Sequence, residues 1–454
     1  MIGLAGSALV LTLSFFSMRR SPRRLPYPPG PRGYPVIGNI LDLPTEFQFK
    51  AFHDLASKYG DMIYYTVLGQ PILVLNSLKC IEDLLEKRSV LYSDRPKAPM
   101  LRDLMGWNEM LLCMDQGPQF RLYRKTFTHH FSQHALVLGA YGYHQRHLDE
   151  MHKLIGQLMQ RPDDILLTLV RPYSATFMAQ LIYSIDIKVN TEYATLIQSM
   201  VKSFEEAAIP GRFLVDRFPI LRHIPHWLPG AKFQRFARES KQVWRDLQQL
   251  PFELVEERMK GTLSVPCIAS EMIENLANLE GSALQEQRTV LLRTCAIAYT
   301  SGTDTTYAAL KTFLYAMAAY PSIQSRAQHE IDTHLRTTPV STGPSPNNNP
   351  DSAPGRLPAF TDKPHLPYLT ATIKEVLRWI SILPLAFPHV LSQNDEYEGY
   401  LIPKGTLVIP NSWAVQHNAQ IYEDPFTFNP DRFLDPKRSG VLDPTGPAFG
   451  YGRR

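Results

Sequence analysis

The chain has 454 residues, of which 44% are hydrophobic and 20% charged, as in an ordinary globular protein with a sizeable buried core. A net charge of only +4, without a long basic run, argues against a nucleic-acid-binding protein. The four scattered cysteines, Cys80, Cys113, Cys267 and Cys295, match no metal or disulfide pattern, which favours a reducing compartment.

The N-terminus predicts a membrane anchor followed by a tether. Residues Ile2 to Ser17 are apolar or small, and at about 1.5 Å per residue such a helix spans roughly 25 Å, which is marginal for a bilayer. A cleaved signal peptide is the alternative, but here arginines follow the apolar stretch instead of preceding it. We therefore predict an anchor over residues 1–17, a basic, Pro-rich tether over 18–35 and a cytosolic body over 36–454.

The body opens with strand-like residues. Tyr64 to Leu68 and Ile72 to Leu75 flank Gly69-Gln70, which predicts a hairpin. An amphipathic pattern from Leu78 to Lys87 predicts a short helix directly after it.

Helical periodicity then dominates from about Phe120 to Tyr320, and strand-like residues return between Tyr400 and Pro410. Residues 337–356 are rich in Pro, Ser, Asn and Gly, and they carry too few apolar groups to offset the entropy of ordering, which predicts a disordered surface insertion. The order of elements predicts a mainly α protein with small β-sheets, an α+β fold.

One long predicted helix contains the polar run from Ser301 to Thr306, which reads SGTDTT. The helix starts near Ser282, where Ser282 and Gln285 suit a capping box, and it ends before Pro321, so that it would be roughly 50 Å long. A hydroxyl that bonds back to a carbonyl can open a kink, where an acid beside an alcohol suits proton delivery. A tolerated polar turn on a solvated helix is the alternative, but the Ala- and Leu-rich flanks favour a buried helix.

A second helical run, from Tyr368 to Trp379, carries Glu375 and Arg378 on one face. Alone, such a pair is usually an exposed salt bridge of little energy. The segment Phe428 to Phe433, rich in aromatic residues and proline, contributes Arg432. Together the three charged residues predict a buried ion network that joins helix and loop.

The chain's last residues read AFGYGRR. Gly450 and Gly452 allow the backbone to approach a large flat group, and Arg453 and Arg454 suit an anionic one. A phosphate-binding loop is the alternative, but the strand and helix that such a loop needs are missing from the pattern.

These four motifs, in this order, resemble the cytochrome P-450 family over nearly the whole chain. The anchor and tether resemble its microsomal members, and Leu383 to His389 together with Ala448 to Arg454 resemble fungal enzymes of secondary metabolism. The resemblance implies a haem b monooxygenase at the endoplasmic reticulum membrane. It would insert one oxygen atom of O2 into a small lipophilic substrate, with electrons from NADPH through a reductase.

The resemblance also implies roles for single residues. Asp304 and Thr305 match the acid–alcohol pair that delivers protons during oxygen activation, and Phe120 replaces the tryptophan of the family's W-x-x-x-R motif. The cofactor contacts would be Arg124, His389, Arg454, Phe449 and Gly452, and the structural network would be Glu375, Arg378 and Arg432.

The sequence departs from the family at the haem loop. The family motif F-x-x-G-x-R-x-C-x-G would place the axial cysteine two residues beyond Arg454, and none of the four cysteines fits that position. We therefore expect no protein ligand for the iron in these 454 residues, poor haem binding and no hydroxylation. The alternative function is that of a truncated, membrane-anchored pseudoenzyme that binds a lipophilic ligand or a partner.

Two further interpretations concern other parts of the body. His130 and His134 have a spacing that can bind zinc, although core or surface histidines are far more common. Met100 to Cys113 and Ile209 to Trp227 would line or gate an apolar pocket for a terpenoid or aromatic metabolite. The second segment alternates apolar and basic residues, as a loop that dips into a membrane surface would.

Overall fold

The structure is a computed structural model, and it describes residues 25–132, 143–160, 170–186, 191–208, 212–261, 266–337, 357–434 and 441–452. The predicted anchor, most of the predicted insertion, His134 and Arg454 lie outside these residues. Within the described ranges, no helix is long and apolar enough to cross a membrane. The described chain is mainly helical with small sheets, as predicted.

The described residues divide into two compact units. One comprises residues 25–94, 385–414 and 451–452, and it contains the sheets. The other comprises the described parts of 95–384 and 415–450, and it contains the long helices.

The sheet-containing unit is built on a four-stranded sheet of order β1-β2-β6-β3, beside a two-stranded hairpin of β4 and β5. Strands β1 and β2 are antiparallel, and β2 pairs with β6 in parallel. Helix α1 packs on this sheet through Phe52, which is buried with Ile63, Tyr65 and Val74. The elements are α1 (Gln48–Tyr59), β1 (Met62–Val67), β2 (Gln70–Leu75), α2 (Leu78–Ile81), β3 (His389–Val390), β4 (Asp395–Tyr397), β5 (Tyr400–Ile402) and β6 (Leu407–Pro410).

The predicted hairpin is confirmed, but its turn lies one residue earlier than predicted. Val67 pairs with Gln70, so that Leu68 and Gly69 form the turn. Their φ values of 48° and 80° are left-handed, as a tight two-residue hairpin requires. The predicted helix from Leu78 is confirmed as well, with the difference that Glu82–Lys87 winds as a π-helix after α2.

The helical unit is organised around α10, which packs against α3, α5, α8, α9 and α12. Nearly every side chain from Val290 to Tyr299 is buried, as the apolar flanks predicted. The helices are α3 (Pro118–Phe131), α4 (Tyr143–Gln160), α5 (Arg171–Tyr183), α6 (Thr191–Ala208), α7 (Leu214–Arg217), α8 (Lys232–Met259), α9 (Ile268–Glu274), α10 (Gly281–Ala319), α11 (Pro321–Thr337), α12 (Pro367–Trp379) and α14 (Thr445–Phe449), while α13 (Ser412–Gln416) follows β6.

The capping box predicted at the start of α10 is wrong. The helix begins at Gly281, and the residue at the cap position, Glu280, makes no side-chain capping bond. Ser282 therefore lies inside the first turn, where its hydroxyl cannot act as the cap.

Candidate active site

The structure brings Glu375 and Arg378 together in the interior, because α12 places both side chains on its buried face. Both residues are 0% exposed. Arg378 donates from Nε and Nη2 to the two carboxylate oxygens of Glu375, each at 2.7 Å. This bidentate geometry is the strongest form of an arginine–carboxylate pair, and burial protects it from solvent screening.

Arg432 completes the predicted network from the other side of the same carboxylate. Its Nε lies 3.3 Å from Glu375, and the backbone N–H of Asn429 donates to Glu375 Oε1 at 2.8 Å. Arg432 also donates to the Glu423 carbonyl at 2.6 Å. Burial lowers the pKa of the Arg432 guanidinium, and the charge of Glu375 opposes that shift.

Backbone carbonyls that the sequence did not single out satisfy the rest of the network. Arg378 Nη1 donates to the carbonyls of Gln416 and Pro425, at 2.9 and 2.7 Å. The first residues of α12 are held as well, because the backbone N–H groups of Tyr368 and Leu369 donate to Glu330, at 2.8 and 2.9 Å. The network therefore fixes α12 to the chain that precedes the haem-loop motif.

Asp304 and Thr305 lie in the middle of α10, in an uninterrupted helix. The Thr305 hydroxyl is exposed and donates to the Ser301 carbonyl at 2.6 Å. Thr303, by contrast, is buried and donates to the Tyr299 carbonyl at 2.8 Å. A helix that is buried before this point thus opens a polar face at Ser301 and Thr305, one turn apart, with the partly exposed carboxylate of Asp304 beside it.

Gly302 has a packing role within this polar run. A Cβ at Gly302 would lie 2.6 Å from the terminal methyl of Met178 on α5. The end of the Met178 side chain fills the space that a larger residue at 302 would need, so it packs directly against the polar turn.

Arg124 lies on the open face of α3, where it lines a depression of about 500 Å³. The depression is shallow and open, and three of its lining residues carry basic groups that suit an anionic ligand. Its lining residues are Phe120, Arg121, Arg124, Lys125, Thr128 and His129. The ring of Phe120 packs with Met114, Tyr123 and Val290.

His389 begins β3 and is buried. Its Nδ1 lies 2.7 Å from the carbonyl oxygen of Tyr92. A carbonyl can only accept, so that Nδ1 carries the proton. In this neutral tautomer Nε2 is an acceptor. It can donate to a carboxylate only after the imidazole has taken up a second proton.

The start of the haem-loop motif makes close contacts through the Tyr451 side chain and the Gly452 backbone. Phe449 ends α14 with its ring 78% exposed. Tyr451 is buried and accepts a hydrogen bond from Ser412 Oγ at 3.2 Å. Gly452 has a φ of 78°, and a Cβ there would lie 2.6 Å from the Leu85 carbonyl oxygen. Only glycine fits this position without displacing the backbone.

The four cysteines are buried free thiols. Burial raises the pKa of the Cys80 and Cys295 thiols, and Cys295 Sγ lies 3.3 Å from the thioether of Met272. A thiol with a raised pKa is a poor iron ligand, because the thiolate binds the metal.

His130 is a core residue, the more common outcome for this histidine. Burial lowers its pKa to about 4, and its Nδ1 lies 3.7 Å from Glu271. No group of three metal-binding side chains occurs within the residues that the structure describes.

The segments predicted to line or gate the pocket are tied together in the helical unit. The Trp107 ring stacks between Phe204 of α6 and Trp244 of α8, with centroids 4.6 and 4.7 Å apart. The backbone N–H of Met100 donates to Asp216 Oδ1 at 2.8 Å, and burial raises the pKa of Asp216. This aromatic stack was missed, because nothing in the sequence pairs three aromatic residues from separate segments.

Comparison with known proteins identifies the family. The cytochrome P-450 family model matches residues 28–454. A cytochrome P-450 monooxygenase of Coprinopsis cinerea is 36% identical over 441 residues, which cover 96% of this chain and 81% of the relative. One from Armillaria gallica is 37% identical, covering 98% and 83%, and the tryptamine 4-monooxygenase of Psilocybe cyanescens is 35% identical, covering 100% and 86%.

The family match and these relatives assign the chain to the haem-dependent monooxygenases, a class of oxidoreductases. The chain belongs to the cytochrome P-450 family. Membership implies haem iron, O2, an organic substrate and electrons from a redox partner.

Proposed function

We propose that this protein is a haem b monooxygenase of secondary metabolism that inserts one oxygen atom of O2 into a small lipophilic substrate. Electrons would come from NADPH through a reductase. The observation that carries the proposal is the pair Asp304 and Thr305, placed where the buried helix α10 opens a polar face.

The described residues fit haem in their chemistry. In the helical unit, the guanidinium of Arg124 suits a carboxylate of the cofactor. In the sheet-containing unit, His389 suits a carboxylate when its imidazole is protonated. The exposed ring of Phe449 suits contact with a flat apolar group. When bound, haem would supply the oxygen activation.

We expect the Thr305 hydroxyl to relay protons. To do so it would break its hydrogen bond to the Ser301 carbonyl and donate to another acceptor instead. In a polypeptide extended through the family cysteine, Thr305→Ala should divert most electrons into peroxide or water. The measurement is product formed per NADPH consumed. The matched control is Thr289→Ala, because Thr289 makes the same bond to the Gln285 carbonyl on an exposed part of α10. Equal coupling in both variants would remove Thr305 from the proton path.

Substrate chemistry is proposed from the apolar and aromatic residues of the segment Met100 to Cys113. Met100, Met105 and Trp107 belong to the main buried cluster of the helical unit. One relative oxidises tryptamine, by its name, so an indole amine belongs in the first screen beside terpenoids and simple arenes. Substrate-induced spectral shifts of the haem, compared across these classes, are the direct test.

We also propose attachment to the endoplasmic reticulum membrane with the body in the cytosol. Apart from the apolar stretch of residues 2–17, the support is a set of exposed side chains: Leu214, Phe218, Ile220 and Trp227 are 49–74% exposed among basic residues. Insertion of these apolar side chains into the interfacial region of a bilayer lowers the free energy of the system.

The protein should therefore stay in the membrane pellet after a high-salt wash. Replacing Ile220 and Trp227 by glutamate in a version without residues 1–24 should abolish residual vesicle binding, whereas Phe426→Glu, at a site 60% exposed outside this segment, should not. Complete release by salt, or a mature protein that starts beyond Ser17, would contradict the attachment.

A further inference from the structure

The segment that contacts the start of the haem loop, Glu82 to Arg88, is also bonded to the β4–β5 hairpin. The Tyr397 hydroxyl donates to Asp83 Oδ2 at 2.7 Å, and Lys87 donates to Asp83 Oδ1 at the same distance. Arg88 donates from Nη1 to both carboxylate oxygens of Asp395, at 2.9 and 2.8 Å. The hairpin of β4 and β5 therefore clamps the π-helical turn and the residue after it.

The same turn meets the loop through two neighbouring groups, Leu85 and Glu86. The backbone N–H of Gly452 donates to Glu86 Oε1 at 2.6 Å. The Leu85 carbonyl oxygen occupies the space that a Cβ at Gly452 would need. A carboxylate that accepts from a backbone N–H makes a charge-assisted bond, which is shorter and stronger than a neutral one.

The π-helical winding of Glu82–Lys87 matters for this contact. A π-turn contains an extra residue compared with an α-turn, so it displaces the residues that follow around the helix axis. Such turns are frequent at functional sites. Here the winding accompanies a carboxylate presented to the loop backbone 366 residues away in sequence.

We infer that Glu86 is a positioning residue for the haem loop: its carboxylate holds the Gly452 amide and so orients the backbone that leads to Arg454. The role in the haem loop rests on the proposed function, but the hydrogen bond between Glu86 and Gly452 does not depend on haem. Glu86 is exposed, so its side chain has no packing role that could substitute for this one.

The test is hydrogen–deuterium exchange of the haem-free 454-residue polypeptide, read in peptides from residue 445 to the end. Glu86→Ala should speed exchange at Gly452 roughly tenfold, the loss expected for one charge-assisted bond. Glu86→Gln retains an acceptor and should restore most of the protection. Glu82→Ala removes an exposed carboxylate of the same turn and should change nothing.

A second readout separates positioning from stability. In the polypeptide extended through the cysteine, Glu86→Ala should shift part of the reduced carbon monoxide complex from the thiolate band to a shorter wavelength, with the melting temperature unchanged. Unchanged exchange in Glu86→Ala would overturn the inference. Faster exchange in a protein whose extended form binds no haem would instead refute the proposed function and leave the positioning role intact.

Discussion

Reduced and saturated with carbon monoxide in the presence of haem, the 454-residue polypeptide should lack the red-shifted Soret band of thiolate-ligated haem. Its four cysteines are buried, and burial raises the pKa of the thiols of Cys80 and Cys295. Formation of an iron–thiolate bond from either would require a buried thiol to ionise and its surroundings to open.

Restoring the ligand should restore the band. Extension by x-Cys-x-Gly and a following family-like helix should also raise haem affinity by at least roughly tenfold, because metal ligation contributes directly to cofactor binding. The matched control is the same extension with serine for cysteine, which retains the loop but supplies no thiolate. A thiolate-type band from the unextended polypeptide would assign the axial ligand to one of its own four cysteines.

Elements with strong local patterns were predictable, and their ends were less so. The first hairpin was predicted from alternating strands, but its turn shifted because Leu68 adopts a left-handed conformation with φ 48°, which its side chain disfavours. Likewise the long helix was predicted, while Ser282 lies inside its first turn because the helix begins at Gly281. Local preferences are weak enough at element ends for tertiary contacts to override them.

The same distinction applies to the candidate site, where a local pair was predictable and contacts between distant segments were not. Glu375 and Arg378 were predictable as a pair because helix geometry alone brings them together. Their backbone acceptors at Gln416 and Pro425 were not, since the sequence does not reveal which carbonyls a distant segment will present. The contact between Glu86 and Gly452 was missed for the same reason, and because the π-helical winding has no clear sequence signal.

Replacing Glu375 by alanine should lower the free energy of unfolding by about 3–5 kcal/mol, because it leaves buried guanidinium groups without their counter-charge. Arg378 would lose two hydrogen bonds of 2.7 Å, and Arg432 would lose its only carboxylate within the described network. The N–H of Asn429 would lose its acceptor as well. The measurement is denaturant unfolding of the haem-free polypeptide, comparing midpoints at equal slope.

The neighbouring residue supplies the matched control. Lys374 pairs with Asp443 at 2.7 Å, but the two side chains are 34% and 50% exposed, so solvent screens the pair. Lys374→Ala removes one charge from the same turn of α12 and should cost less than about 1 kcal/mol. If Glu375→Ala costs no more than Lys374→Ala, the network contributes no more than a surface salt bridge. A large cost confined to Glu375→Ala would establish that the buried carboxylate fixes α12 to the segment that carries Arg432.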